Sequence, residues 1–504
     1  MNVINALQHG FGAFFTDPVL IILLIAGVFI GMVFGSIPGL TATLAVTLFL
    51  PFTFALKAGQ GLTALIAIYV GGISGGLISA CLLNIPGTPS SMVTCFDGAP
   101  MARNGRPADA LSIGVFASLV GGLFSAVALC CIAPALAKVA LMFGPWEYFA
   151  MGMMGLMVVI SVCSKDLIKG LMGAVIGLLL STVGMDPISS IQRFTFGKWE
   201  LGGGLNATAA MMGLFALSEI LVQLRDLKKE FSIIDTGKIG LFPRKETISG
   251  IERLKVFILS SVIGTVVGIL PGIGQSTATM MSYNTARQIS KTPEKFGTGH
   301  EEGVIASECS NNAVCGGALI PMMTLGIPGD TVTAILLGGL IVHGLQPGPL
   351  LFTNNVDIVG IIFSAYIISC IVMYFMELGL MKMFIKLLSI PLNILLTVII
   401  VMCVVGTFAT NNRTFDIWVF LGVGILGYFL VSSGFSLPPV VLGYILGPII
   451  EKNYRVAIIS SKGHVLGFLE SPIAIVLLLL GVVLLVLPFI MGVMKKKKSG
   501  KINL

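Results

Sequence analysis

Gly268-Ile-Leu-Pro271-Gly272-Ile-Gly-Gln275 interrupts an otherwise apolar stretch of the chain, and this interruption decides the fold. Three similar Pro-Gly breaks occur at Gly35-Ser-Ile-Pro38-Gly39, Asn84-Ile-Pro86-Gly87 and Gly326-Ile-Pro328-Gly329. Proline removes a backbone donor, and glycine admits conformations that end a helix. A bilayer cannot satisfy free backbone groups, so broken helices persist only where they are buried in protein or line a polar cavity. The breaks therefore predict a polar site inside a membrane protein.

The composition agrees with that prediction. Of the 504 residues, 56% are hydrophobic and only 11% are charged, whereas soluble proteins carry about 25% charged residues. No charge occurs between Asp17 and Lys57 or between Lys57 and Asp97, and each run exceeds the roughly 20 residues that one crossing needs. We expect an all-α integral membrane protein with about 10 to 14 transmembrane or re-entrant helices.

Several function classes fit the sequence poorly. The net charge of +7 is spread over short loops and the tail Lys495–Lys498, so it indicates membrane topology rather than nucleic-acid binding. The nine cysteines lie mostly in apolar stretches without metal-ligand spacing, and we expect them to pack. His300-Glu301-Glu302 lacks the second histidine of a zinc motif. The N-terminus has no basic region typical of a cleavable signal peptide.

The breaks form two matched pairs, one in each half of the chain, with a repeat of about 235 to 240 residues. Gly35 aligns with Gly268, and Pro86-Gly87 aligns with Pro328-Gly329. We expect a first repeat unit with linking helices at 1–224, a cytoplasmic connector at 225–255, a second unit with the C-terminal helices at 256–494, and a basic cytoplasmic tail at 495–504. The segment 436–448 predicts one more broken helix, since it carries three prolines.

Basic residues suggest that the two repeats are inverted. The segment before the first break has no Lys or Arg, whereas its counterpart has Arg253 and Lys255. Beyond the second break the bias reverses, because Arg103 and Arg106 are matched only by His343. Basic residues favour the cytoplasmic side, so equivalent loops are expected on opposite sides of the membrane.

Small polar residues follow each break. A helix that starts after a break offers free N–H groups and the positive end of its dipole, both of which favour an anion. Hydroxyl and amide side chains can also donate hydrogen bonds to a carboxylate. The predicted substrate-binding residues are Pro38, Gly39, Thr41, Thr43, Gly87, Thr88, Ser90, Ser91, Gly272, Gln275, Ser276, Thr277, Gly329 and Thr331.

The carbonyl groups left at half-helix ends suit a small cation such as Na⁺. Asp330 directly follows a break inside an otherwise uncharged run, and an ionisable group at depth is a functional candidate by default. Its alternative role is a cap of the next half-helix. Glu308 is expected near the start of a helix. The predicted coupling-ion residues, for Na⁺ or H⁺, are Asn84, Asn311, Asn312, Asp330 and Thr333; no cofactor and no other metal is expected.

At these motifs the chain closely resembles the large membrane subunit of the tripartite tricarboxylate transporters, the TctA family. The resemblance rests on Leu270-Pro-Gly-Ile-Gly274, Leu325-Gly-Ile-Pro-Gly-Asp330 and Val441-Leu-Gly-Tyr-Ile-Leu-Gly-Pro448, and it covers nearly the whole chain. It implies a permease of the bacterial inner membrane with about a dozen helices. It also implies Na⁺- or H⁺-coupled uptake of citrate or other di- and tricarboxylates, with a small four-helix membrane subunit and a periplasmic solute-binding protein as partners.

Other functions remain open from the residues themselves. A cation-coupled transporter of another anionic or zwitterionic solute, such as an amino acid or a sulfonate, is the main alternative. An intramembrane enzyme needs a nucleophile–base pair or metal ligands at depth, and the four histidines look peripheral. A proton-translocating redox subunit needs Lys and Glu across the midplane. The chain is therefore expected to be a transporter and not an enzyme, with its oligomeric state left open.

Overall fold

The computed structural model describes residues 2–163, 166–186, 188–224, 240, 242–244, 248, 250–271, 273–388, 390–464 and 466–499. Its helices, in chain order, are α1 Val3–Thr16, α2 Pro18–Ser36, α3 Ala42–Phe49, α4 Ala58–Leu83, α5 Thr94–Arg103, α6 Pro107–Ala140, α7 Pro145–Cys163, α8 Leu167–Ser181, α9 Ala207–Met211, α10 Ser218–Gln223, α11 Ile251–Ile269, α12 Gly274–Ile289, α13 Glu301–Leu325, α14 Thr331–Val342, α15 Leu351–Asn354, α16 Val356–Leu387, α17 Leu392–Asn411, α18 Thr414–Ser432, α19 Leu437–Ser460 and α20 Pro472–Ser499.

The described residues confirm the predicted all-α membrane fold. Six of their helices are long and apolar enough to cross a bilayer: Pro18–Ser36, Ala58–Leu83, Pro107–Ala140, Val356–Leu387, Asn393–Asn411 and Thr414–Ser432. Shorter apolar helices, among them Thr331–Val342 and Leu167–Ser181, are typical of interrupted spans. A two-stranded antiparallel sheet joins β1 Gly184–Met185 to β2 Gln192–Arg193.

The chain divides into two compact units, each built from a segment of either half. Unit 1 comprises 1–138 and 219–412, and unit 2 comprises 139–218 and 413–504. All four Pro-Gly breaks belong to unit 1. The predicted connector at 225–255 lies largely outside the described residues, and α11 begins inside its last part, at Ile251.

Unit 1 repeats one packing arrangement in both halves of the chain. In the first half α2 packs on α4, and a Cβ placed on Gly35 would lie 2.2 Å from the Gly72 carbonyl oxygen. In the second half α11 packs on α13, and a Cβ on Gly268 would lie 2.6 Å from the Val314 carbonyl oxygen. Small residues allow membrane helices to approach this closely. Each half of unit 1 thus contains a closely packed helix pair next to its first break, and the repeat itself stays a prediction.

Unit 2 packs α19 against α7 and α8, and α20 against α7. An apolar cluster of Trp146, Ala150, Ala457 and Ala474 lies among these helices. Arg193 of β2 binds Glu451 of α19 at 2.6 Å. The backbone N–H groups of Ser189 and Ile188, together with Arg455, hold the pKa of Asp186 well below its usual range. The sheet is thus tied to α19 by charged contacts.

The prediction of a broken helix at 436–448 is wrong. The structure has one continuous helix, α19, from Leu437 to Ser460, with Pro448 inside it. Pro438 and Pro439 occupy its first turn, where the backbone N–H groups have no partner within the helix, so proline costs little there.

The inversion of the two repeats stays a prediction, and it is testable by cysteine labelling. Lys57 and Lys291 lie at exposed positions after equivalent breaks. In a background without native cysteines, Lys57→Cys and Lys291→Cys are expected to react with a membrane-impermeant reagent from opposite sides of the membrane. Labelling of both positions from the same side would contradict the inversion.

Candidate functional site

The first break separates α2, which ends at Ser36, from α3, which begins at Ala42. Gly39 has φ +93°, a backbone region that favours glycine. The Gly39 carbonyl accepts a hydrogen bond from the side-chain amide of Gln223. Thr41 caps α3, since its hydroxyl oxygen accepts from the Leu44 backbone N–H at 3.1 Å. The hydroxyl of Thr43, the second residue of α3, points to another part of unit 1, at Thr331.

The second break follows α4. Asn84 ends this helix in the left-handed conformation, with φ 56°, and it is exposed. Beyond Gly87 the chain turns through a short 3-10 segment, Pro89–Met92. The hydroxyl oxygen of Thr88 lies 3.0 Å from that of Ser90 and 2.7 Å from that of Ser91. All three side chains are buried, so the predicted hydroxyl group of this break forms one internal cluster.

The third break separates α11, which ends at Ile269, from α12, which begins at Gly274. Gly272, one of the predicted substrate-binding residues, lies outside the described residues. Gln275 and Thr277 are half-buried and Ser276 is exposed. The side-chain amide of Gln275 donates to Asp330 Oδ2 at 2.5 Å and to Tyr69 Oη at 3.2 Å.

The fourth break separates α13, which ends at Leu325, from α14, which begins at Thr331. Asp330 is the N-cap of α14: its Oδ1 accepts from the Thr333 backbone N–H and from the Thr333 hydroxyl, both at 2.7 Å. Its Oδ2 accepts from Tyr69 and Gln275, both at 2.5 Å. Each carboxylate oxygen therefore has two donors, and the Asp330 side chain is both a helix cap and a link to other elements.

The four breaks are joined by a chain of contacts within unit 1. The first and fourth breaks join through Thr43 and Thr331, whose hydroxyl oxygens lie 3.1 Å apart. The third and fourth join through Gln275 and Asp330. The helix after the third break reaches the second break, where Thr279 donates to the Ser90 carbonyl at 3.3 Å. These contacts connect residues from both halves, so the site contains both repeats.

In each pair of breaks, a glycine of the second break packs against the backbone of the first. A Cβ on Gly87 would lie 2.2 Å from the Gly35 carbonyl oxygen, and a Cβ on Gly329 would lie 2.4 Å from the Gly268 carbonyl oxygen. Real Cβ atoms do not approach backbone atoms so closely, and neither carbonyl can move without shifting its helix. The glycines at these positions therefore allow the second break of each pair to pack directly on the first.

The other predicted coupling-ion residues lie at different depths of unit 1. Asn311 and Asn312 are buried in the middle of α13, well before the end of this helix at Leu325. The Asn312 side chain donates to the Glu308 carbonyl at 3.2 Å. Glu308 itself lies about two turns inside α13, so its predicted place near a helix start is only roughly met.

Sequence reasoning missed two side chains that contact the breaks. Tyr69 of α4 donates to Asp330, and Gln223 of α10 donates to Gly39. A signal for Tyr69 existed, because a buried tyrosine hydroxyl needs a partner and this tyrosine lies inside a long uncharged run. For Gln223 the sequence holds no comparable signal, since it lies far along the chain from the first break.

The electrostatics at the breaks come from polar groups and helix ends rather than from basic side chains. Among the described residues, none of the ion pairs involves a residue of the four breaks. The N-terminus of α14 already holds the carboxyl group of Asp330, whose Oδ1 accepts from the Thr333 N–H. The start of α3, with Thr43 half-buried beside Thr331, keeps polar groups that a ligand can reach.

Comparison with known proteins shows which family the chain resembles. A sequence model described as the tripartite tricarboxylate transporter TctA family matches residues 21–442. The chain is 36% identical over 497 residues to an uncharacterized 52.8 kDa protein in the TAR-I ttuC' 3' region of Agrobacterium vitis, covering 99% of this chain and 98% of that protein. An uncharacterized protein in the TAR-II ttuC' 3' region of the same organism is 36% identical over 234 residues, covering 46% of this chain and 97% of that protein.

No solved structure matches the chain. The family model covers most of the sequence, including the four breaks, and the described helices have the length and apolar character of a multi-pass membrane protein. The chain therefore belongs to the tripartite tricarboxylate transporter TctA family.

Proposed function

We propose that this chain is the large permease subunit of a binding-protein-dependent uptake system for citrate or other di- and tricarboxylates. Membership of a transporter family supports the class. The observation that carries the proposal is the meeting of all four breaks in unit 1, where residues of both halves hydrogen-bond to one another. Discontinuous helices that meet between repeats are the usual binding site of secondary transporters.

The substrate carboxylate is proposed to bind at the start of α3, beside Thr43 and Thr331. Free N–H groups and the dipole of α3 favour a negative charge there, and two half-buried hydroxyls can donate to it. Since no basic side chain pairs at the breaks among the described residues, the charge of a tricarboxylate is balanced by co-transported Na⁺ or H⁺.

The proposed assembly places the chain in the bacterial inner membrane with its C-terminus in the cytoplasm. It works with a small four-helix membrane subunit and a periplasmic solute-binding protein, as the family's name implies a three-part system. The binding protein delivers the substrate, and the large subunit couples its passage to the ion gradient. No cofactor is part of the proposal.

The test is uptake into proteoliposomes that contain the assembled system. Labelled citrate, tartrate and glutamate are offered with the cognate binding protein under an imposed Na⁺ or H⁺ gradient. We expect accumulation of a di- or tricarboxylate that requires one of the two gradients. Accumulation of glutamate alone would favour the amino acid alternative, and uptake that ignores both gradients would overturn the coupling.

Thr43→Val and Thr331→Val test the proposed binding position in the same assay. Valine keeps the side-chain volume but removes the donor. Because a hydrogen bond to a charged group contributes about 1.5–3 kcal/mol, each substitution is expected to lower apparent affinity by roughly tenfold or more. Thr410→Val is the matched control, since among the described residues the half-buried Thr410 hydroxyl donates to its own helix, at the Gly406 carbonyl. Unchanged affinity in both site variants would move the substrate elsewhere.

A further inference from the structure

Two carboxylates are buried in unit 1 away from the four breaks. Glu308 lies on α13 and Glu377 lies on α16, and both residues are 0% exposed. Neither takes part in an ion pair among the described residues. An isolated ionised carboxylate in a low-dielectric interior is costly, so such a group is neutralised or binds a cation.

Their hydrogen bonds are unequal. Glu308 accepts from the Thr94 hydroxyl at 2.5 Å and from the Ser118 hydroxyl at 3.2 Å, one on each oxygen. Glu377 Oε2 accepts from the Ser74 hydroxyl at 2.6 Å. Its other oxygen, Oε1, is fully buried and has no hydrogen-bond partner among the described residues. A buried carboxylate oxygen without a donor is strongly unfavourable in the ionised state, whereas it is a natural place for a bound proton.

The two carboxylates form one electrostatic group. The helices that carry them, α13 and α16, both pack against α4. Glu308 lies within electrostatic range of Glu377, and Cys81 of α4 lies within electrostatic range of both. The other titratable side chains that interact with Glu308 are the thiols of Cys95 on α5 and Cys309 on α13. No lysine, arginine or histidine of the described residues joins this group. Two neighbouring carboxylates without a cation cannot both stay ionised at low cost, so together they retain a proton.

One of the residues predicted to bind the coupling ion lies at this pair. Asn311 is 0% exposed and sits beside Glu308, one turn further along α13. Its side chain interacts with the Glu308 carboxyl group, although neither of its polar atoms makes a hydrogen bond of ordinary geometry among the described residues. A buried amide thus lies beside Glu308.

The pair is connected to the breaks through α4. Tyr69, which donates to Asp330, and Ser74, which donates to Glu377, are separated by five residues of this helix, a rise of about 7.5 Å. A change in the position of α4 therefore acts on Asp330 and on Glu377 together.

We propose that Glu377, with Glu308 beside it, carries the proton that couples substrate uptake to the pH gradient. The proton binds to Glu377 Oε1 while the site is open to the outside of the membrane. It leaves the same oxygen while the site is open to the inside. A proton needs only one free acceptor, and Glu377 Oε1 is one, whereas Mg²⁺ or Ca²⁺ requires about six or more converging oxygens. The inference rests on the proposed transport function and assigns its coupling ion and residue.

The test separates substrate movement from proton movement. The assembled system is reconstituted in proteoliposomes with a pH-sensitive dye inside. Glu377→Gln keeps the shape of the protonated side chain but cannot release a proton. We expect this variant to retain substrate counterflow, to lose accumulation driven by a pH gradient, and to lose substrate-dependent proton entry. Ser369→Ala is the matched control, because Ser369 is a buried polar residue of the same helix, and it should retain all three activities.

Each outcome has one meaning. Proton-driven accumulation by Glu377→Gln, or accumulation by the wild type that follows Na⁺ alone, would overturn the inference while leaving the transport function intact. Failure of the wild type to move any carboxylate would overturn the transport function itself. If Glu377→Gln does not fold, Glu308→Gln and infrared difference spectra of the wild type take its place. A protonated carboxyl group should give an infrared band in acidic medium that is lost in alkaline medium. If the wild-type spectra show no such band, the assignment is refuted.

Discussion

Asp330→Asn is expected to reduce uptake by roughly tenfold or more and to change its dependence on the coupling ion. Asparagine is as good an N-cap as aspartate, so α14 should still form. It loses the charge-assisted hydrogen bonds from Tyr69 and Gln275, each of which contributes about 1.5–3 kcal/mol. The link between the third and fourth breaks is thereby weakened while the fourth break keeps its cap. Initial uptake rates at several Na⁺ and H⁺ concentrations measure the effect.

Two further variants make this result specific. Asp330→Ala removes the cap as well and is expected to lower thermal stability in addition to uptake. Asp357→Asn is the matched control, because Asp357 lies in the first turn of α16 with 80% of its side chain exposed, and it should behave as the wild type. Wild-type ion dependence in Asp330→Asn would reduce Asp330 to a helix cap.

Gly87→Ala and Gly329→Ala are expected to abolish or nearly abolish transport, and to similar degrees. The added methyl groups would lie 2.2 Å from the Gly35 carbonyl oxygen and 2.4 Å from the Gly268 carbonyl oxygen. Because these neighbours are backbone atoms, the break must move away from its partner helix. Overpacking of this kind costs about 1–3 kcal/mol, which a large helical protein tolerates, while the contacts around Thr88 and Asp330 are displaced.

Expression and monodispersity of the purified variants show whether the protein still folds. Uptake then shows whether the arrangement of the breaks still supports transport. Gly379→Ala is the control, since a Cβ at this position of α16 meets no atom within 4 Å. A large loss in one variant and none in the other would contradict the functional equivalence of the two halves, even though their contacts are duplicated.

The positions of the breaks were predictable from sequence because their causes are local. Proline and glycine end a helix wherever they occur together, and small polar residues cap the next one. All four breaks are present, Thr41 caps α3, and Asp330 caps α14, which was the alternative role considered for it. Local chemistry also misled in one case, since Pro438 and Pro439 lie in the first turn of α19, where a helix accepts proline, and α19 continues through Pro448.

The partners of the breaks were not predictable in the same way. Tyr69 lies inside an apolar helix and Gln223 is distant from the first break along the chain, so their contacts arise only from tertiary packing. The same holds for the contact of Glu377 with Ser74, away from the breaks. A one-residue change in helix rotation would move each of them to another face. The duplication of the Pro-Gly motifs indicated that the halves resemble each other, but it did not indicate which side chain of one half binds which side chain of the other.

The hydrogen bonds between the halves have a consequence for biogenesis. During synthesis the N-terminal part of the protein enters the membrane first, and Thr43, Tyr69 and Thr94 then have none of the partners they later find at Thr331, Asp330 and Glu308. Their partners are not synthesised until the ribosome has made more than 300 residues. Until then these hydroxyls hydrogen-bond to water, to their own helices or to a chaperone. Slow translation or truncation downstream would leave this nascent intermediate exposed to quality-control proteases.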